Sequence, residues 1–218
     1  MALRFGTSGL RGLVTDMTDR ECCLYTIAFL QYVKTKSSPR AVAIAGDLRK
    51  STPRILHAVA FAAQEEGLRA DYCGFVPTPA LTVHGLASDV PGIMVTGSHI
   101  PEDRNGIKYN MPWGEVLKGD EEEISLRYRV LKSEEQERIR QGSSAFTDEG
   151  NLKPERRPAL GQENPAARRD YIDRFVSFFS PGCLDGLTIV FYQHSSVSRQ
   201  ILPEALHALG ARVVEVGW

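Results

Sequence analysis

An α/β layer fold is predicted by three observations. Short apolar runs at 41–45, 70–75 and 92–96 read as buried strands. A capped helical segment precedes the first run, and a second helical segment separates it from the next. Strands alternating with helices in this way form a sheet with helices laid on its faces.

The elements follow in order. Thr18-Asp19-Arg20-Glu21 reads as a capping box, in which the threonine hydroxyl accepts an N–H three residues on and the glutamate reaches back. A helix should run from it to about Lys34. The run 41–45 is a short strand. Thr52-Pro53 then offers a cap and a first-turn proline. Ile55, Leu56, Val59, Ala60 and Ala63 repeat at helical spacing behind it, and Gly67 ends that helix. The runs 70–75 and 92–96 are the next strands, with 107–110 as a short fourth. A helix is predicted over 119–141, its Asp-Glu-Glu-Glu start placed where the helix dipole favours negative charge. Ile124, Leu126, Val130, Leu131 and Ile139 give it only a partial apolar stripe.

Residues 142–164 are rich in Gly, Pro and charge with little periodicity, and they read as a linker. A second α/β unit begins beyond it. Asn164-Pro165 caps a helix to about Phe179, 187–192 is a strand, 196–209 a helix closed by Gly210, and 212–216 another strand. Two strands and one helix cannot close a sheet core. The expectation is therefore a first domain over 1–141, a linker over 142–164, and an incomplete start of a second domain over 165–218.

Composition narrows the function classes. The 218 residues are 42% hydrophobic and 24% charged, with a net charge of -1. That is ordinary for a soluble globular protein and gives no electrostatic footprint for nucleic acid. Cys22, Cys23, Cys73 and Cys183 form no C-x-x-C pair, so zinc-ribbon and redox spacings are absent and a reducing cytoplasm fits. The start, Met-Ala-Leu-Arg-Phe-Gly-Thr-Ser-Gly, has no signal-peptide pattern, and no run of about 18 apolar residues predicts a membrane span.

The segment with most chemistry is 94–110. A strand ends in Thr96-Gly97, Ser98-His99 follow at once, and Lys108 comes soon after. A serine at the carboxyl end of a strand, beside an imidazole and an amine, suits a nucleophile with its proton carriers. Asn105-Gly106 is a hairpin signal that would return Lys108 towards Ser98. The same pattern also fits a plain exposed turn. Near the start, Gly6, Gly9 and Gly12 allow a backbone close to an anion, Thr7 and Ser8 add hydroxyls, and Arg11 adds a fork suited to phosphate. Alone, this stretch fits a glycine-rich entry loop equally well. Gly46-Asp47-Leu48-Arg49-Lys50-Ser51 is expected to be a polar strand-to-helix turn, and His194-Ser195-Ser196 a loop with a helix cap. A serine hydrolase is disfavoured, since there is no Gly-x-Ser-x-Gly elbow and no convincingly placed Asp-His pair.

Taken together, Phe5-Gly-Thr-Ser-Gly-Leu-Arg-Gly12, the Gly-Asp-x-Arg-x-Ser stretch at 46–51 and Thr96-Gly-Ser-His-x-Pro with Asn105-Gly-x-Lys108 resemble the α-D-phosphohexomutases. The 190–199 stretch is similar to bacterial phosphomannomutase-type members. Two positions depart from the pattern: Ile100 stands where asparagine is common, and Gly46-Asp47 stands where Gly-Arg-Asp is usual. The resemblance implies a three-layer α/β/α first domain with a mixed sheet, followed by the opening β-α-β of a second. It implies that Ser98 is a phosphoserine that exchanges its phosphoryl group with a hexose phosphate through a bisphosphorylated sugar. Lys108 would be the general acid/base, His99 a helper, and Arg11, Thr7 and Ser8 phosphate contacts. Mg2+ would be held partly by the phosphate on Ser98, and glucose 1,6-bisphosphate or a similar sugar would serve as activator. The family's Asp-Gly-Asp-Gly-Asp-Arg metal loop does not occur in this sequence, so these residues alone are expected to be inactive. A non-catalytic relative that binds sugar phosphate or a protein partner stays open. The oligomeric state is not readable.

Overall fold

A computed structural model describes residues 3–6 and 9–217. The strands are β1 (Arg4–Gly6), β2 (Gly9–Leu13), β3 (Ala41–Gly46), β4 (Arg69–Phe75), β5 (Gly92–Val95), β6 (Arg104–Met111), β7 (Gly114–Glu115), β8 (Thr188–Tyr192) and β9 (Arg212–Val216). The α-helices are α1 (Asp19–Lys34), α2 (Thr52–Glu65), α3 (Thr78–Ser88), α4 (Lys118–Arg140), α5 (Ala166–Phe178) and α6 (Ile201–Ala208). The main sheet runs β1-β2-β6-β5-β3-β4, with β7 on β6. Strand β3 is parallel to both β4 and β5, and the remaining pairs are antiparallel, so the sheet is mixed as expected. Strands β8 and β9 form a separate parallel pair.

Two apolar cores cover the two faces of the sheet. Val42, Ile44, Val95 and Ile107 point to one face and pack with Phe29, Leu30, Leu56 and Ile124 from α1, α2 and α4. Ala43, Ala45 and Met94 point to the other and pack with Leu81, Ile172 and Ile201 from α3, α5 and α6. The period-2 alternation along β3 thus serves two helical layers. Strand β3 is buried throughout, which is why 41–45 reads as a continuous apolar run rather than an alternating one.

Helix α1 starts where its capping box predicts. Thr18 caps it, with its hydroxyl accepting the Glu21 N–H at 3.2 Å. Glu21 does not reach back; its carboxylate takes the Tyr128 hydroxyl and the Lys132 ammonium of α4 instead. Helix α4 buries Ile124, Tyr128, Leu131 and Glu135, leaving Leu126, Val130 and Ile139 exposed. The segment 142–164 is pinned rather than loose. Phe146 and Leu152 pair in an isolated bridge and enter the core, Ser144 Oγ donates to the buried Glu135, and Asp19 accepts the Leu152 N–H at 2.8 Å. Asn164 caps α5 by accepting the Ala166 N–H at 3.0 Å. Where one helix was expected over 196–209, a 3-10 turn at Val197–Arg199 precedes α6.

Three elements go beyond the expectation. Strands β1 and β2 form a hairpin docked on β6. Gly9, at φ 87°, lies so close to that strand that a Cβ would sit 2.0 Å from the Ile107 carbonyl oxygen, so this glycine serves sheet packing. Helix α3 buries only Ala80, Leu81, His84 and Gly85, a stripe too narrow to show as apolar periodicity. Asn105-Gly106 is not a turn but the interior of β6, and the chain reverses through 96–103. A type I′ turn needs positive φ at both central residues, and neither has it. The buried Asn105 amide is bound instead by Ser51 and Thr52 at the start of α2, at 2.8 and 3.2 Å. No helix among the described residues is long and apolar enough to cross a membrane.

Candidate active site

Strand β5 ends at Val95, and the loop after it carries Ser98. The backbone there is unusual, with Ser98 at φ 54° in the left-handed region. A side chain other than Gly or Asn in that region costs on the order of 1–2 kcal/mol, so its surroundings must hold it there. They do so through Asp47 and Arg49, at the carboxyl end of the neighbouring parallel strand β3.

Asp47 is saturated with donors. One carboxylate oxygen accepts Thr96 Oγ1 at 2.9 Å and the Gly97 N–H at 3.0 Å, and the other accepts the Arg49 N–H at 3.1 Å and Thr52 Oγ1 at 2.6 Å. The Ser98 N–H in turn donates to Thr96 Oγ1 at 2.9 Å. The Arg49 guanidinium pairs with Asp47 at 3.3 Å and reaches over the loop to four backbone carbonyls. Its two Nη atoms donate to Ser98 (3.3 Å), Ile100 (2.6 Å), Pro101 (2.8 Å) and Arg104 (3.2 Å). A planar fork with five donors can make such a set; a lysine cannot. Gly97 permits the crossing, since a Cβ there would sit 2.2 Å from Arg49 Nε.

The result is an exposed Ser98 whose Oγ lies 3.3 Å from His99 Nδ1. Both line a cleft of about 470 Å³ with Asp47, Arg49, Pro77 and Thr78. Ser195, Ser196 and Val197 also line it, so the second unit contributes to the same cleft. Ser196 also caps the 3-10 turn by accepting the Ser198 N–H at 3.1 Å, and the His194 ring stacks on Tyr192.

The cationic residues stand on the adjoining strands. Lys108 on β6 is directly opposite Met94 on β5, and Arg11 on β2 is directly opposite Gly106 on β6. Partners in antiparallel register share a face, and Met94 lines the cleft, so Lys108 belongs to the cleft's side of the sheet. Gly106 accepts the Thr96 N–H through its carbonyl at 2.9 Å, which puts Arg11 level with the start of the serine loop. Lys108 is two residues further along β6, roughly 7 Å. Thr7 and Ser8 lie outside the described residues. Of the residues expected from the sequence, Ser98 and His99 line the cleft and Lys108 and Arg11 stand on its side of the sheet, whereas Asp47 and Arg49 were expected to form an ordinary turn. The available signal was an acid and an arginine at the end of a strand parallel to the serine strand, where ligands of open α/β sheets gather.

Ser98 Oγ can accept and return a phosphoryl group, with cations nearby to balance the charge. A divalent cation would need more than these residues supply. Asp47 is occupied by its donors, and Glu102 in the cleft wall is paired with Arg49 at 3.5 Å.

Comparison with known proteins gives the family and the fold. A family model described as phosphoglucomutase/phosphomannomutase, alpha/beta/alpha domain I, matches residues 2–136. A phosphomannomutase of Salmonella muenchen is 39% identical over 214 residues, covering 98% of this chain and 40% of that protein. A phosphoglucosamine mutase of Mycobacterium ulcerans is 31% identical over 225 residues, covering 99% of this chain and 46% of that protein. The chain thus spans less than half the length of these curated relatives. A crystal structure of a phosphoglucomutase/phosphomannomutase family protein from Burkholderia thailandensis superposes with a TM-score of 0.72 at 22% identity, over 98% of this chain and 43% of that one.

Proposed function

The chain belongs to the phosphoglucomutase/phosphomannomutase family, and from that premise we propose that the protein built on it interconverts the 1- and 6-phosphates of a hexose, with Ser98 as phosphoryl carrier. Mannose phosphate is the substrate class named by the more similar relatives, at 37–39% identity. The observation that carries the reading is Ser98 itself, exposed at a cleft and held in a left-handed conformation by the Asp47–Arg49 clamp.

In the first half-reaction the P–O bond to Ser98 Oγ breaks as a bond forms from phosphorus to a sugar hydroxyl. The proton of that hydroxyl passes to Lys108, the leaving Ser98 Oγ takes a proton from the adjacent His99 ring, and the product is a bisphosphorylated sugar. After the sugar reverses, its other phosphate returns to Ser98, whose hydroxyl proton goes back to His99, and Lys108 gives its proton to the sugar oxygen that the phosphate leaves. Such a transfer demands in-line positioning and charge balance more than covalent help. The clamp provides the position, and Arg11 faces the negative charge. His99, in contact with Ser98 Oγ, orients that oxygen. Mg2+ would supply further charge neutralisation, with the phosphorylated Ser98 as one ligand and the others from outside these residues. Residues 1–218 therefore provide the carrier half of the site and are expected to be inactive alone. Four free thiols, three of them buried, fit a reducing cytoplasm.

Kinetics of the whole enzyme test the assignment. Ser98→Ala should remove turnover in a coupled assay. Lys108→Ala should lower kcat roughly a hundredfold or more, the range for a lost general acid/base, with KM little changed. Normal kcat in either variant would refute the assignment of that residue.

A further inference from the structure

One strand beyond β3, at the edge of the sheet, a second group of reactive side chains plays no part in this chemistry. Asp71 and Cys73 are two residues apart on β4, and helix α3, packed on the neighbouring strands β3 and β5, supplies His84, whose ring reaches Asp71. One carboxylate oxygen, the thiol sulfur and one imidazole nitrogen lie within 4.8 Å of one another. The group is sheltered: Cys73 is 1% exposed and His84 5%. His84 Nε2 is 3.1 Å from Asp71 Oδ2. Its other nitrogen, Nδ1, is buried without a hydrogen-bond partner, although Asp170 Oδ2 on α5 stands 3.5 Å away.

We propose that Asp71, Cys73 and His84 bind one thiophilic divalent cation, Zn2+ by its donor preference, with Asp170 as the carboxylate behind the imidazole. Sulfur, nitrogen and oxygen donors together are what Zn2+ takes, and small side-chain rotations bring these three onto one ion. A histidine that binds a metal through one ring nitrogen commonly donates from the other to a carboxylate. The unsatisfied Nδ1 facing Asp170 has that arrangement before any ion arrives. Binding replaces the Cys73 thiol proton, which leaves to solvent. Burial is the main reason this thiol otherwise holds its proton, pushed up to about 12, with the Asp71 and Glu163 charges adding to it. Asp71 also accepts from the Asn164 side-chain amide at both oxygens, 3.1 and 3.0 Å, just before α5, and its Oδ1 pairs at 3.1 Å with Arg69, an exposed side chain that, unlike the enclosed Arg49 beside Asp47, can swing into solvent when an ion binds. A cation here would therefore join β4, α3 and the first helix of the second unit.

Cobalt(II) titration of the metal-stripped 218-residue chain tests this. One equivalent should give thiolate-to-cobalt charge-transfer absorption. The band should persist in Cys183→Ser, disappear in Cys73→Ser and yield to Zn2+. Asp170→Asn, on a partly exposed side chain, should weaken binding roughly tenfold. No band, or a band that survives Cys73→Ser or vanishes with Cys183→Ser, would overturn the proposal. Should Cys73→Ser fail to fold by circular dichroism, an unchanged cobalt affinity in Asp170→Asn would overturn it.

Discussion

Four backbone carbonyls converge on one guanidinium beside the serine, and their number explains why residue 49 is arginine. Lysine carries the same charge but cannot span carbonyls from Ser98 to Arg104 with the spacing of a planar fork. Arg49→Lys in the whole enzyme should therefore leave the sheet intact and let the serine loop relax. A displacement of about 1 Å at a reacting atom costs on the order of a hundredfold in rate, so kcat should fall to about that extent while far-UV circular dichroism is unchanged. Wild-type kcat in this variant would show that the loop holds Ser98 without the clamp. Ser98, His99 and Lys108 stand out in the sequence because each carries its own chemistry. Asp47 and Arg49 were not, because they act through another residue across a parallel strand pair, and no local pattern reports that pairing.

Among the elements, those with local signals were legible. Thr18 marks the start of α1, and Thr18→Ala should lower unfolding free energy by about 1 kcal/mol, read as a shift in urea midpoint at constant m-value. A variant as stable as wild type would show the cap to be redundant. Strand β3 announces itself by a run of buried apolar residues. The β1–β2 hairpin and α3 do not, since the first is glycine-rich and the second buries a stripe of only four residues, one of them a histidine. Asn105-Gly106 misleads for a different reason. The dipeptide is a strong hairpin signal in isolation, but the Ser51 and Thr52 hydroxyls bind the Asn105 amide and keep the pair within β6. The strand reversal survives through a longer loop, so Lys108 still faces Met94.

For the molecule as a whole, both faces of one mixed sheet are covered, and the layer holding α5 and α6 carries the second unit against the cleft. The buried cysteines of α1 make this packing sensitive to alkali. Burial pushes the Cys22 thiol up to about 12, and the Cys23 thiol is also raised. In the unfolded chain both lose their protons from about pH 8.5. The native state therefore binds more protons than the unfolded state above that point, and stability falls as pH rises from about 9 towards 12. Thermal midpoints should decline across that window, and a flat profile would contradict the burial of these thiols.

The central claim is that Ser98 carries the phosphoryl group. Intact-mass and peptide mass spectrometry of the whole enzyme, after incubation with glucose 1,6-bisphosphate and Mg2+, test it most directly. One phosphoryl group on Ser98, absent in Ser98→Ala, is the expected result. No phosphate, or phosphate on a different residue with Ser98 unmodified, would contradict it.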